Sequence, residues 1–143
     1  SEENLYVTGN TVVDALYRNR ELAREKSDVF SELDLDEEYF LMTAHRAENV
    51  DYEHRFRDLL KGVSRVAEEH DVSVVYPIHP RARSRLNEFG IEVPDRIQLT
   101  EPQEYLDFLR LEADASLILT DSGGVQEEAC VLRVPCVTLR ENT

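Results

Sequence analysis

Apolar residues recur along this chain in two rhythms, one helical and one short and continuous, and the two alternate. From Thr11 to about Lys26, Val12, Val13, Leu16, Tyr17 and Leu22 gather near one side of a helix, with Asn10 or Thr11 as its cap. Ser27 to Glu38 is polar and acidic and predicts a surface connection. Tyr39 to Ala44 is a brief apolar run, read as a buried strand that ends at His45, and a loop follows through Asp51. The clearest helix spans about Tyr52 to His70, where Phe56, Leu59, Leu60, Val63, Val66 and Ala67 repeat at helical spacing. Val72 to Ile78 predicts a second strand, closed by His79-Pro80, and a helix from about Arg81 to Phe89 runs into Gly90, which suits a left-handed cap. Arg96 to Leu99 predicts a third strand. Pro102 then opens a helix to about Leu111, since its missing N–H costs nothing in a first turn. Ala115 to Leu119, Ser122 to Leu132 and Val134 to Leu139 complete the series as strand, helix and strand.

Strands that are apolar on both faces and alternate with helices predict an α/β domain: a doubly wound, Rossmann-like parallel sheet with helices on both faces. In such sheets ligands lie beyond the carboxyl ends of the strands. His45, His79, the segment Thr100 to Gln103 and the segment Asp121 to Gly124 all come just after strands, so all are expected at one cleft.

The richest of these segments is Thr120-Asp121-Ser122-Gly123-Gly124-Val125-Gln126-Glu127-Glu128. A helix starting near Ser122 aims its free N–H groups and the positive end of its dipole at the cleft, where phosphate oxygens fit. Gly123 and Gly124 leave room for a close pyrophosphate and tolerate backbone angles that other residues avoid. Glu128, nearly two turns on, is placed to accept hydrogen bonds from ribose hydroxyls. Taken alone, the segment is more simply a strand-to-helix turn with Ser122 as N-cap.

His45-Arg46-Ala47-Glu48-Asn49 puts an imidazole, a guanidinium and a carboxylate directly after a strand. His45 can exchange a proton or neutralise a leaving phosphate. Arg46 can clamp phosphate or fix Glu48, and a polar loop with an internal ion pair is the plainer reading. His79 is open to the same choice between ligand group and loop histidine bonded to backbone, whereas His54 and His70 read as structural. Backbone groups near Gln103 can pair with a pyrimidine edge that Phe108 covers, although spacing alone puts Phe108 in the core. Arg140, after the last strand, is placed to approach a diphosphate.

Charge narrows the partners. The 143 residues carry 30 Asp plus Glu against 16 Lys plus Arg, a net charge of −14, and lysine occurs only at positions 26 and 61. Such a field repels nucleic acid and anionic membranes, while one small anion needs only a local positive pocket. An acidic, lysine-poor surface also suits a high-salt cytoplasm, where salt screens self-repulsion. Cys130 and Cys136 read as buried, reduced core residues, and no metal site is expected. No apolar run approaches a membrane span, so a soluble cytoplasmic domain is expected.

Five segments together resemble one family, the non-hydrolysing UDP-N-acetylglucosamine 2-epimerases. They are Val7 to Leu16, Thr43 to Asn49, Tyr76 to His79, Leu99 to Phe108 and Thr120 to Ala129, in the family's order across almost the whole chain. The resemblance implies a two-domain glycosyltransferase-B-type fold that interconverts UDP-GlcNAc and UDP-ManNAc without a cofactor. UDP would be eliminated across C1 and C2 to leave a 2-acetamidoglucal, then added back with the proton on the other face. It implies that His45 acts at the reacting end, that Gln103 and Phe108 line the uridine pocket, that Ser122, Gly123 and Gly124 cradle the diphosphate, and that Glu128 accepts the ribose. Arg46 and His79 match positions that touch a second, regulatory sugar nucleotide in some members. Glu48 and Arg140 are secondary candidates. Because members are more than twice this length, residues 1–143 read as the UDP-binding domain, truncated at its carboxyl end. The carboxylates that move the C2 proton would belong to an absent amino-terminal domain, the complete protein would be a homodimer, and this portion alone would not turn over. A glycosyltransferase-B-type transferase and a non-catalytic nucleotide-sugar binding module are the alternatives.

Overall fold

The structure is a computed structural model that describes residues 2–33, 35 and 37–139. Five parallel strands form one sheet: β1 (Tyr39–Thr43), β2 (Ser73–Pro77), β3 (Ile97–Thr100), β4 (Leu117–Thr120) and β5 (Cys136–Thr138). Their order is β3-β2-β1-β4-β5. The chain therefore winds outward from β1 to one side, then crosses back to start again at β4. Register is set by pairs such as Leu41 with Val75 and with Ile118. Among the described residues seven helices flank the sheet: α1 (Glu2–Lys26), α2 (Val29–Leu33), α3 (Ala47–Val50), α4 (Glu53–His70), α5 (Pro80–Phe89), α6 (Tyr105–Asp114) and α7 (Gly123–Leu132).

Alternate strand residues feed two separate cores, as the two-residue period of a strand requires. Phe40, Met42, Val74 and Tyr76 point to one face and pack with Val50 of α3, Phe56, Leu60 and Val63 of α4 and Leu86 of α5. Tyr39, Leu41, Val75 and Ile118 point to the other, against Leu16 of α1, Val29 of α2, Leu109 of α6 and Ala129 of α7. Completely burying a side chain such as Leu41 is worth about 1.5–3 kcal/mol, so the doubly apolar strands account for the two-sided cover.

Five expectations change. The first helix begins at Glu2 rather than at a cap on Asn10 or Thr11, running through Gly9; adding a turn to an existing helix needs no new nucleus. The acidic connection contains α2, because Val29 is fully buried and pulls one turn against the sheet. The loop after β1 contains the one-turn α3. The helix expected at Pro102 starts at Tyr105, as the Gln103 side chain turns back to Glu101 O at 2.8 Å and holds the preceding residues extended. Cys130 and Cys136 are both exposed. The buried stripe of α7 is Ala129 and Leu132, so Cys130 is rotated outward, and Cys136 stands on the edge strand β5. Gly90 does take the left-handed cap, with φ 63°.

Candidate functional site

The winding reverses between β1 and β4, the point at which a sheet of this kind offers a crevice beyond its strand ends. Residues 44–50 leave β1 on one side, and Asp121 and Ser122 leave β4 on the other. Asp121 joins them. Fully buried, its carboxylate accepts hydrogen bonds from the backbone N–H of His45 at 3.0 Å and of Arg46 at 2.9 Å, and from Nδ2 of Asn49 at 2.9 Å. Asn49, equally buried, also donates to Leu139 O and accepts from Nε of Arg55. Tyr76 completes the seat by donating to Ala44 O at 2.6 Å, and burial first, then the Asp121 charge, pushes its phenol well above the usual range.

The side chain of His45 has Nδ1 3.1 Å from Oδ1 of Asp121, and just over half of that side chain remains exposed. Because the partner oxygen only accepts, the contact places the proton on Nδ1 and leaves Nε2 to the crevice. Sequence reasoning put a reactive histidine here but missed its orienting acid. The available signal was Asp121 itself, a carboxylate at the end of an otherwise apolar strand.

Ser122 caps α7 as expected, its hydroxyl accepting from Val125 N, while its own N–H donates to Oγ1 of Thr120. Neither Gly123 nor Gly124 has a positive φ, so backbone strain does not explain them. Nor does packing. A Cβ would meet nothing within 4 Å at Gly123 and only Oγ of Ser122, at 3.8 Å, at Gly124. Two exposed glycines that weaken the first turn and that no described residue requires suit a closely approaching ligand, and free N–H groups at a helix start favour an anion.

A cavity of about 230 Å³ is lined by Thr43, His45, His79, Pro102, Gln103 and Phe108, and its His45 contacts Asp121, which precedes the Ser122 cap. Ala44, Pro77, Pro102 and Phe108 supply apolar lining, and Gln103, Phe108 and both candidate histidines do converge on it. The amide of Gln103 is spent on Glu101 O, which leaves backbone groups for a polar ring edge. Phe108 packs against the core cluster that holds Leu109 and also lines the cavity. A larger hollow of about 780 Å³ between α4 and β5 shares only Glu48 with the candidates and holds neither the helix start nor a cavity histidine.

The remaining candidates are placed as follows. Nδ1 of His79 accepts from Arg81 N and caps α5, a structural duty that still leaves its ring on the cavity wall. Arg46 pairs with Glu48 at 3.8 Å on the surface. His54 pairs with Asp58 and His70 packs edge-on to Phe40, both away from the crevice. Glu128 is half-buried on α7, and its carboxyl meets that of Glu112, a fully buried acid on α6. Burial, then the charge and hydrogen bond of Glu128, push Glu112 up to about 9, and burial raises Glu128 despite the hydrogen bond. Arg140 lies outside the described residues. No group of His, Cys, Asp and Glu among the described residues could hold a metal.

Known proteins resemble this arrangement. The family model described as UDP-N-acetylglucosamine 2-epimerase matches residues 1–143. The UDP-N-acetylglucosamine 2-epimerase of Methanocaldococcus jannaschii is 46% identical over 149 residues, covering 99% of this chain and 41% of that protein. The chain thus spans about two fifths of that relative's length. A crystal structure of the Methanocaldococcus jannaschii enzyme in complex with UDP-GlcNAc and UDP superposes with a TM-score of 0.82 at 46% identity, over 93% of this chain and 38% of that one. An Escherichia coli heptosyltransferase, 16% identical with a TM-score of 0.52 over 77% of this chain and 35% of its own, shares the fold alone, which is of the glycosyltransferase-B type. On the whole-length family match, the chain belongs to the UDP-N-acetylglucosamine 2-epimerase family.

Proposed function

We propose that this chain is the UDP-binding half of an enzyme that interconverts UDP-GlcNAc and UDP-ManNAc. The observation that carries the reading is the pairing, across one crevice, of a bare-glycine helix start with a histidine whose Nδ1 is already engaged. The diphosphate sits on the N–H groups at the start of α7, around Ser122, Gly123 and Gly124. The uracil enters the 230 Å³ cavity against Phe108, read by backbone groups near Gln103, and the ribose hydroxyls reach Glu128. This places the bond between the sugar C1 and the phosphate oxygen near His45.

In the elimination His45 acts as an imidazolium, its Nδ1–H held by Asp121 and its Nε2–H donated to the departing phosphate oxygen as the C1–O bond breaks, while a base takes the C2 proton and a 2-acetamidoglucal forms. In the return step the phosphate oxygen adds back to C1 and C2 is protonated on the opposite face. Asp121 keeps the imidazole turned toward the leaving group throughout. The base that takes the C2 proton belongs to a further domain, so residues 1–143 bind but do not turn over. The same reading has the complete protein as a cytoplasmic homodimer feeding UDP-ManNAc to cell-surface polysaccharide. The charge of −14 supports the exclusion of nucleic acid and anionic membrane as partners.

The test is His45→Asn in the full-length protein. Epimerisation should fall on the order of 10²-fold or more while UDP affinity, measured by titration calorimetry, changes little. Near-normal turnover would return His45 to a structural role.

A further inference from the structure

Below the ligand edge, the Glu112 side chain from α6 is fully buried, and neither of its oxygens accepts a hydrogen bond from a described residue. The group its carboxyl meets is the carboxyl of Glu128 on α7. On the β5 side lies the thiol of Cys136, which burial and then the Glu112 charge push up. Two charged carboxylates cannot share such a contact, and a buried carboxylate without a donor carries its whole desolvation cost. One proton resolves both problems. If Glu112 is the neutral acid, its O–H donates to one oxygen of Glu128, whose negative charge stays nearer the surface.

We propose that Glu112 is a positioning residue for nucleotide binding, a neutral acid whose O–H fixes one oxygen of Glu128 and turns the other toward the ribose hydroxyls of a nucleoside diphosphate. This rests on Glu128 being the ribose acceptor. The arrangement makes the ribose site conditional on a buried proton. When Glu112 loses it, a second negative charge faces Glu128, the two carboxylates separate, and the aim of Glu128 is lost. The raised value of about 9 at Glu112, caused first by burial, sets where that happens.

UDP binding is measured by calorimetry at pH 7.5 and 9.5 on this chain and on its Glu112→Gln, Glu112→Leu and Glu128→Gln variants. An amide still donates and never ionises, so Glu112→Gln should match the parent at pH 7.5. By pH 9.5 Glu112 is largely ionised, so the parent should weaken several-fold more than Glu112→Gln. Ionisation of the uracil ring is common to both proteins and cancels in that ratio. Glu112→Leu, which cannot donate, should bind several-fold more weakly than Glu112→Gln at pH 7.5. Parallel weakening of the parent and Glu112→Gln overturns the proposal, and so does full affinity in a folded Glu112→Leu. Should the leucine variant not fold, the pH ratio decides alone. Full affinity in Glu128→Gln removes Glu128 from the ribose site, which is a separate failure of the underlying reading.

Discussion

Asp121 and Glu112 are both fully buried acids in one small domain, yet their surroundings are opposites. Asp121 ends a strand inside a ring of donors: two backbone N–H groups, the Asn49 amide and the His45 imidazole. Glu112 sits on a helix where no described N–H group donates to either oxygen, facing another carboxyl. Burial is equal, so it is the count of N–H groups that separates them. Where the backbone converges it supplies donors without a charge, and the acid becomes scaffold. Where two helices merely pack side by side it supplies none, and the acid must keep a proton.

The contrast is broken most severely at Asp121. Asp121→Ala leaves four N–H donors, two from backbone, one from Asn49 and one from the His45 ring, around an empty seat and should cost about 3 kcal/mol or more, by analogy with removing one partner of a buried charged network. Urea unfolding measures this. A loss below about 1 kcal/mol would show that the ring of donors does not hold the loop.

Glu112 should respond in the opposite sense. Its carboxyl keeps a proton to about pH 9 in the native state, against a usual 4.5 in the unfolded chain. The native state therefore holds the extra proton through that window, and stability falls as pH rises across it. Glu112→Gln lacks this penalty and should be more stable than the parent by on the order of 1–3 kcal/mol at pH 7, with the gap closing toward pH 4.5. Thermal melts across pH 4.5 to 8 test the slope, and a pH-independent gap would contradict it.

The smallest effect concerns acids that are not buried. With a net charge of −14, raising KCl from about 0.1 M to above 1 M should lift the melting temperature as the screening length shrinks to ~3 Å. Neither Asp121 nor Glu112 should contribute, because buried interactions are screened far less. A flat curve would refute adaptation to salt.

Much of the sheet was legible because its strands are apolar on both faces, a pattern that only two-sided cover satisfies. The Ser122 cap, the Gly90 cap and the α4 stripe were legible for the same local reasons. Features set by distant partners were not. Nothing near Asn49 indicates that its amide spans from Asp121 to Leu139, 90 residues away, and that contact is what curls the expected loop into α3. Pro102 has a backbone angle that suits a helix start and an extended segment equally, so the Gln103 side chain decided. Cys136 could not be placed without knowing that β5 is an edge. Glu112 was within reach, since it lies three residues after Leu109 on the same helix face, a charged residue at a core position.

The amide of Asn49 touches Asp121 and Leu139 together, so the loop after β1, the end of β4 and the end of β5 are fastened by one side chain. A loop fastened in this way cannot reshape itself around an arriving sugar. Its backbone amides at His45 and Arg46 should exchange with solvent only when the sheet itself opens, unlike those of ordinary surface loops. Any larger rearrangement at this edge must then come from swinging the domain as a solid block, with the histidine carried along at a fixed angle to the start of α7.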